Sequence, residues 1–149
     1  MTSKTDFTEQ EWDLVLSGPP TAGMMVITAD RGGMMRETFA MAKAYAEARQ
    51  QHGASRLLDE IVSAKPEMNR PHDGSFEEFR AHGLQRLRDA VELLQAKATP
   101  DEVDEYRRFI LNLTDRVARR HKEHGAEVSD TEQAVIDEIS QALSGAAAV

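Results

Sequence analysis

A chain of 149 residues, 40% apolar and 30% charged, fits one globular domain, large enough to bury about 68–70% of the surface its unfolded form exposes. A net charge of −8 argues against general nucleic-acid binding, which needs a basic face to displace condensed counterions. Zero cysteines exclude disulfides, thiolate catalysis and sulfur-ligated zinc or iron–sulfur centres.

The first fifteen residues are polar and lack the apolar core of a signal peptide, so a cytoplasmic protein with no membrane association is expected. Ala, Leu, Glu, Arg and Gln are plentiful and aromatics make up only 5%. These are helix formers, and no β-branched run alternates at period two. The expected fold is all-α, a single domain over 1–149.

Residues 1–6 read as a frayed tail. Phe7 to Trp12 then carries a complete helix start. Thr8 is the N-cap, Glu11 at N3 completes a capping box, and Phe7 staples onto Trp12 at N4. Gly18-Pro19-Pro20 is expected to stop this helix near Ser17, with Pro20 opening a second one in which its missing N–H costs nothing. From Pro20 to Asp30 the chain is apolar all round: Ala22, Met24, Met25, Val26, Ile27 and Ala29 point in every direction. Such a helix must be enclosed, and a bilayer span needs about 20 residues. The stretch is therefore expected to be the buried central helix of the domain.

Asp30-Arg31-Gly32-Gly33 reads as a tight turn. Met34 to Gln51 forms the next helix, with Met35, Phe39, Ala42, Tyr45 and Ala46 on its inner face and Gly53 beyond its end. A short helix from Ala54 to Ala64 turns Leu57, Leu58, Ile61 and Val62 inward. Residues 66–74 read as a loop. Ser75 and Glu78 open a long helix with Leu84, Leu87, Val91 and Leu94 at three-four spacing. Thr99 and Glu102 box another start, with Pro100 at N1, and Val103, Tyr106, Ile110, Leu113 and Val117 continue the pattern. Two such seams joined by so short a turn predict an antiparallel helical hairpin. Gly125 closes it. Ser129 and Glu132 open a last helix with Val135, Ile136, Ile139 and Leu143 inward, before a frayed 145–149. The sum is a bundle of about six or seven helices around the buried one.

Asp30 ends the buried stretch at a glycine turn. With Glu37 seven residues on, or with Asp115 from the hairpin, it offers oxygen ligands to a hard divalent cation. Equally, Asp30 bonds its own turn and Glu37 sits where a helix start favours negative charge. His121 and His124 lie three apart and share a helix face that suits a metal. They also fall, with Arg116, Arg119, Arg120 and Lys122, at a helix end where cations answer the dipole. That basic cluster is also suited to an acidic partner or phosphate. Met34 and Met35 flank the glycine turn, and methionine adapts to varied partners. Together with Phe76, Phe79 and Phe109, and with Leu111 off the seams, they form the expected interaction surface. His72-Asp73 lacks a nucleophile in an elbow setting, and Gly32-Gly33 lacks the strand and lysine of a phosphate loop.

Val26 to Ala48 and Val117 to Leu143 share a grammar of helix, glycine turn, acid and amphipathic helix, each downstream of a threonine-led capping box. The pattern Thr-Ala-Asp-Arg-Gly-Gly (Thr28 to Gly33) followed by Glu37, with Gly-Ala-Glu-Val-Ser-Asp-Thr-Glu (Gly125 to Glu132), resembles the helical TerB-like domains linked to tellurite and stress responses. It covers about a third of the chain. In that family paired helical units carry metal-holding acids, so the resemblance implies a role for Asp30 and Glu37. In the second unit His124 stands where an acid is expected. The Phe7–Trp12 start is also similar to that of uncharacterised bacterial all-helical proteins.

The expectation is a non-catalytic, stress-associated cytosolic interaction protein that needs no cofactor. Its partner is another protein or a second copy, a homodimer formed through the hairpin's outer face. The alternative is a metal- or small-ligand-binding domain at the Asp30–Glu37 turn.

Overall fold

The structure, a computed structural model, describes residues 3–29, 34–50, 56–64, 76–122 and 130–144, less the side chains of 29, 34–39, 76, 119–122, 130 and 131. Six α-helices account for nearly all of it: α1 Glu9–Ala29, α2 Met34–Gln50, α3 Arg56–Ser63, α4 Phe76–Lys97, α5 Pro100–Lys122 and α6 Asp130–Leu143. The all-α bundle predicted from composition is the observed architecture.

Two helix starts form as their sequences dictate. Thr8 N–H donates to Glu11 Oε1 at 2.9 Å, and Glu11 N–H donates to Thr8 Oγ1 at 3.1 Å. Thr99 and Glu102 repeat the exchange at 2.9 and 3.2 Å, with Pro100 at the first helical position. Each box satisfies donors that the first turn leaves open. The Phe7 and Trp12 rings lie 5.6 Å apart, closing the staple at the entry to α1.

The predicted break at Gly18-Pro19-Pro20 does not occur: α1 runs unbroken through both prolines. An interior proline costs about 3 kcal/mol, partly because it removes the N–H owed to the carbonyl four residues back. For Pro19 that carbonyl belongs to Val15, and the buried Tyr106 hydroxyl of α5 donates to it at 2.8 Å. Burial pushes the Tyr106 phenol above its ordinary pKa, so it remains a donor. Gly18 makes the approach possible, because a Cβ there would overlap the Tyr106 hydroxyl. A tertiary contact thus replaces the helical bond lost at Pro19, and α1 continues through Pro20, which withholds the N–H owed to Leu16.

The part of α1 expected to be enclosed is enclosed. Ala22, Met24, Met25, Val26 and Ile27 are all buried. α4 and α5 pack along the helix, and α2 and α6 complete its surroundings. At Gly23 an added Cβ would run into Met41 of α2 and crowd Leu113 of α5. α4 and α5 are separated by only Ala98 and Thr99. Their seams, Leu84, Leu87, Val91 and Leu94 on one and Val103, Tyr106, Ile110, Leu113 and Val117 on the other, are buried. Beyond the joining turn these helices meet α1 far more than each other.

In α2 the inner face differs from expectation. Met41, Ala44 and Tyr45 are buried and Ala48 half-buried, whereas Ala42 and Ala46 are exposed. Alanines at 40, 42, 44, 46 and 48 recur every second residue, so they spread around the helix and cannot orient it. Residues 3–6, expected to fray, include a 3₁₀ turn at Lys4–Asp6. Lys4 N–H donates to Glu60 Oε2 of α3 at 2.8 Å.

Basic side chains clasp the ends of neighbouring elements. Lys97, in the last turn of α4, donates to the Asp6 carbonyl at 3.0 Å and to Glu11 Oε1 at 2.7 Å, with its ammonium 5.5 Å from the Phe7 ring centroid. The Lys97 hydrogen bond, followed by that from the Thr8 backbone, holds the Glu11 carboxyl below its ordinary pKa. Arg49 of α2 donates to the Val62 carbonyl at the end of α3 at 2.5 Å. Arg107 of α5 does the same for Leu143 at the end of α6. These carbonyls have no helical partner of their own. The Asp30–Gly33 turn, Gly53, the 66–74 loop, Ser75, Gly125 and Ser129 lie outside the described residues.

If the Tyr106 hydroxyl compensates for Pro19, Tyr106→Phe destabilises the fold by about 1–3 kcal/mol in urea denaturation, the cost of an unpaired buried carbonyl. In a Pro19→Ala background the penalty shrinks by at least about 0.5 kcal/mol, because the substituted residue supplies the missing N–H. An equal penalty in both backgrounds would show that the two groups are not coupled.

Candidate functional site

α5 is amphipathic in two registers. Its inner row builds the core, while Glu105, Arg108, Phe109, Asn112 and Arg116 step along another face at three-four spacing. That row meets Ala44, Glu47 and Ala48 of α2 and Leu58 of α3, and together they line a groove of ≈ 430 Å³. The floor is apolar. Phe109 is only 7% exposed, and its ring meets Tyr45 edge-on, with centroids 5.2 Å apart and planes at 80°, a favourable aromatic geometry. Burial pushes the Tyr45 phenol above its ordinary pKa, so it stays protonated beneath the groove.

Charged groups form the rim. Arg116 of α5 makes an ion pair with Glu47 of α2, both about a third exposed. Arg108 is exposed, and among the described residues its guanidinium carries no ion pair. Ala44 and Ala48, one turn apart, keep α2 low beside this rim.

A second recess lies between α1 and α4, lined by Gln10, Asp13, Leu14, His82, Gln85, Arg86 and Asp89. It is more open to solvent. Gln85 donates to Asp89 at 2.9 Å and Arg86 to Ser17 at 3.4 Å. Leu14 is the one apolar side chain among those lining it.

The residues singled out from sequence divide into three groups. Asp30 and His124, like His52 and His72-Asp73, lie outside the described residues. Glu37, Met34, Met35, Phe76 and His121 sit on α2, α4 and α5, but their side chains fall outside the description, as do those of Arg119, Arg120 and Lys122. The rest are visible. Asp115 is half-buried on α5, and among the described residues no three His, Asp or Glu side chains gather to hold a metal. Phe79 and Leu111 are half-buried against the core. Phe109, expected on an exposed apolar surface, belongs to the core instead, because its ring is held against Tyr45. Its remaining edge reaches the groove.

As a unit the groove is not legible in the local sequence. The second row on α5 was available as a helical period, but Glu47, Leu58 and the two alanines join it only through tertiary packing. No described helix is long and apolar enough to cross a membrane. Comparison with family models, curated proteins and solved structures finds no match.

Floor and rim are expected to separate in denaturation experiments. Phe109→Ala removes a buried ring and costs about 3–5 kcal/mol, whereas Arg108→Ala, an exposed truncation, stays within about 0.5 kcal/mol of the parent. Equal losses would make Arg108 a structural residue.

Proposed function

We propose that this protein acts by binding rather than by chemistry, as a cytosolic interaction module whose recognition face is the groove between α2, α3 and α5. The observation that carries the reading is the groove's construction, an apolar floor of Phe109, Leu58, Ala44 and Ala48 under a charged rim. Apolar concavities with a few placed polar groups are the usual form of a binding site. The floor is fixed by the core, and the Glu47–Arg116 pair ties α2 to α5 across it. A preorganised concavity loses less entropy on binding. The resemblance to TerB-like domains supports a stress-associated setting. It rests on the Thr28–Glu37 and Gly125–Glu132 patterns and is independent of the groove.

Native mass spectrometry of the chain isolated from its source cells tests this. The parent is expected to carry an added mass, whether a small ligand, a partner or a second copy. Asn112→Trp, which fills the groove from an exposed position, is expected to lose that mass while keeping its melting temperature. A bare monomer in both samples, or an adduct indifferent to the substitution, would contradict the reading.

A further inference from the structure

The groove's chemistry narrows what it takes, on the reading that it is the binding face. We infer that its ligand is a small amphipathic monocarboxylic acid, held with its apolar body on Phe109, Leu58, Ala44 and Ala48 and its carboxylate on Arg108. A volume of ≈ 430 Å³ lies within the roughly 300–1,000 Å³ of small-molecule sites. Ala44 and Ala48 stand one turn apart where longer side chains would fill the space. They leave room for a slim body rather than for one bulky anchor.

The rim sets the charge. Of its two guanidinium groups, Arg116 is neutralised by Glu47, while Arg108 carries no ion pair among the described residues. A guanidinium presents a planar fork that matches a carboxylate bidentately. Asn112, one helical turn further along α5, adds an amide donor beside it. With Arg116 held by Glu47, the groove's lining offers a second ligand anion no unpaired guanidinium. One anionic group is accepted and two are disfavoured. A second copy of the chain is a poor occupant, since each copy carries −8 and like net charges repel.

The test uses the full ¹⁵N-labelled chain titrated in parallel with octanoate, octylamine and octan-1-ol. Octanoate is expected to shift the backbone amides of Ala44, Ala48, Leu58, Phe109 and Asn112 in a saturable way. The alcohol and the amine are expected to bind about tenfold more weakly or worse, having lost the charge-assisted bond. Arg108→Gln is expected to bring octanoate down to about the level of the alcohol. Equal response to all three probes, shifts confined to another face, or octanoate binding indifferent to Arg108→Gln would each overturn the assignment. Should octanoate fail while the native adduct still vanishes in Asn112→Trp, the carboxylate assignment falls and the binding reading stands. Loss of both results would remove the two together.

Discussion

One hydrogen bond answers the first of the two prolines that α1 carries through its length. Pro19 leaves the Val15 carbonyl without its helical donor, and Tyr106 supplies one from α5. The exchange needs three residues at once. Pro19 creates the vacancy, Gly18 leaves room for the phenol, and Tyr106 arrives only when α5 is docked. Local chemistry and tertiary packing are therefore coupled at this point. With α1 continuous, the segment from Ala22 to Ile27 becomes the surface on which α4, α5, α2 and α6 assemble.

That arrangement also explains why a groove exists. The inner row of α5 is committed to the core, so its second row is free to face α2 and α3. α2 reaches it through small alanines, and α3 is short, pinned at one end by Arg49 on the Val62 carbonyl and joined to Lys4 through Glu60. The floor is thus a by-product of core packing at Tyr45 and Phe109. A binding face built on core residues is rigid, whereas its exposed rim at Arg108 and Asn112 is open to change without loss of the fold.

Much of the architecture was legible in the residues themselves. The Thr8 and Thr99 boxes, the seams of α4 and α5, the inward set of α6 and the enclosed Ala22–Ile27 stretch all follow from local rules. What escaped those rules depended on distant partners. Glycine and two prolines in succession spell a helix stop, and the bond lost at Pro19 is made good by a hydroxyl 91 residues beyond Val15. Alternating alanines give α2 no orientation, and Ala42 and Ala46, expected inside, face solvent. The clasps made by Lys97, Arg49 and Arg107 are equally silent in sequence, since any surface cation looks the same before the chain folds. The candidate site was the least legible part. Its residues come from three helices, and Phe109 reads equally well as an exposed anchor or as core.

If the bundle is assembled on α1, that helix, prolines included, is the most deeply protected element of the domain. Native-state hydrogen exchange tests this directly. The amides of Ala22 to Ile27 are predicted to exchange only through global unfolding, with opening free energies equal to that of the whole domain and the same denaturant dependence. Exchange of these amides through a local, denaturant-independent opening, as fast as that of α3, would contradict it.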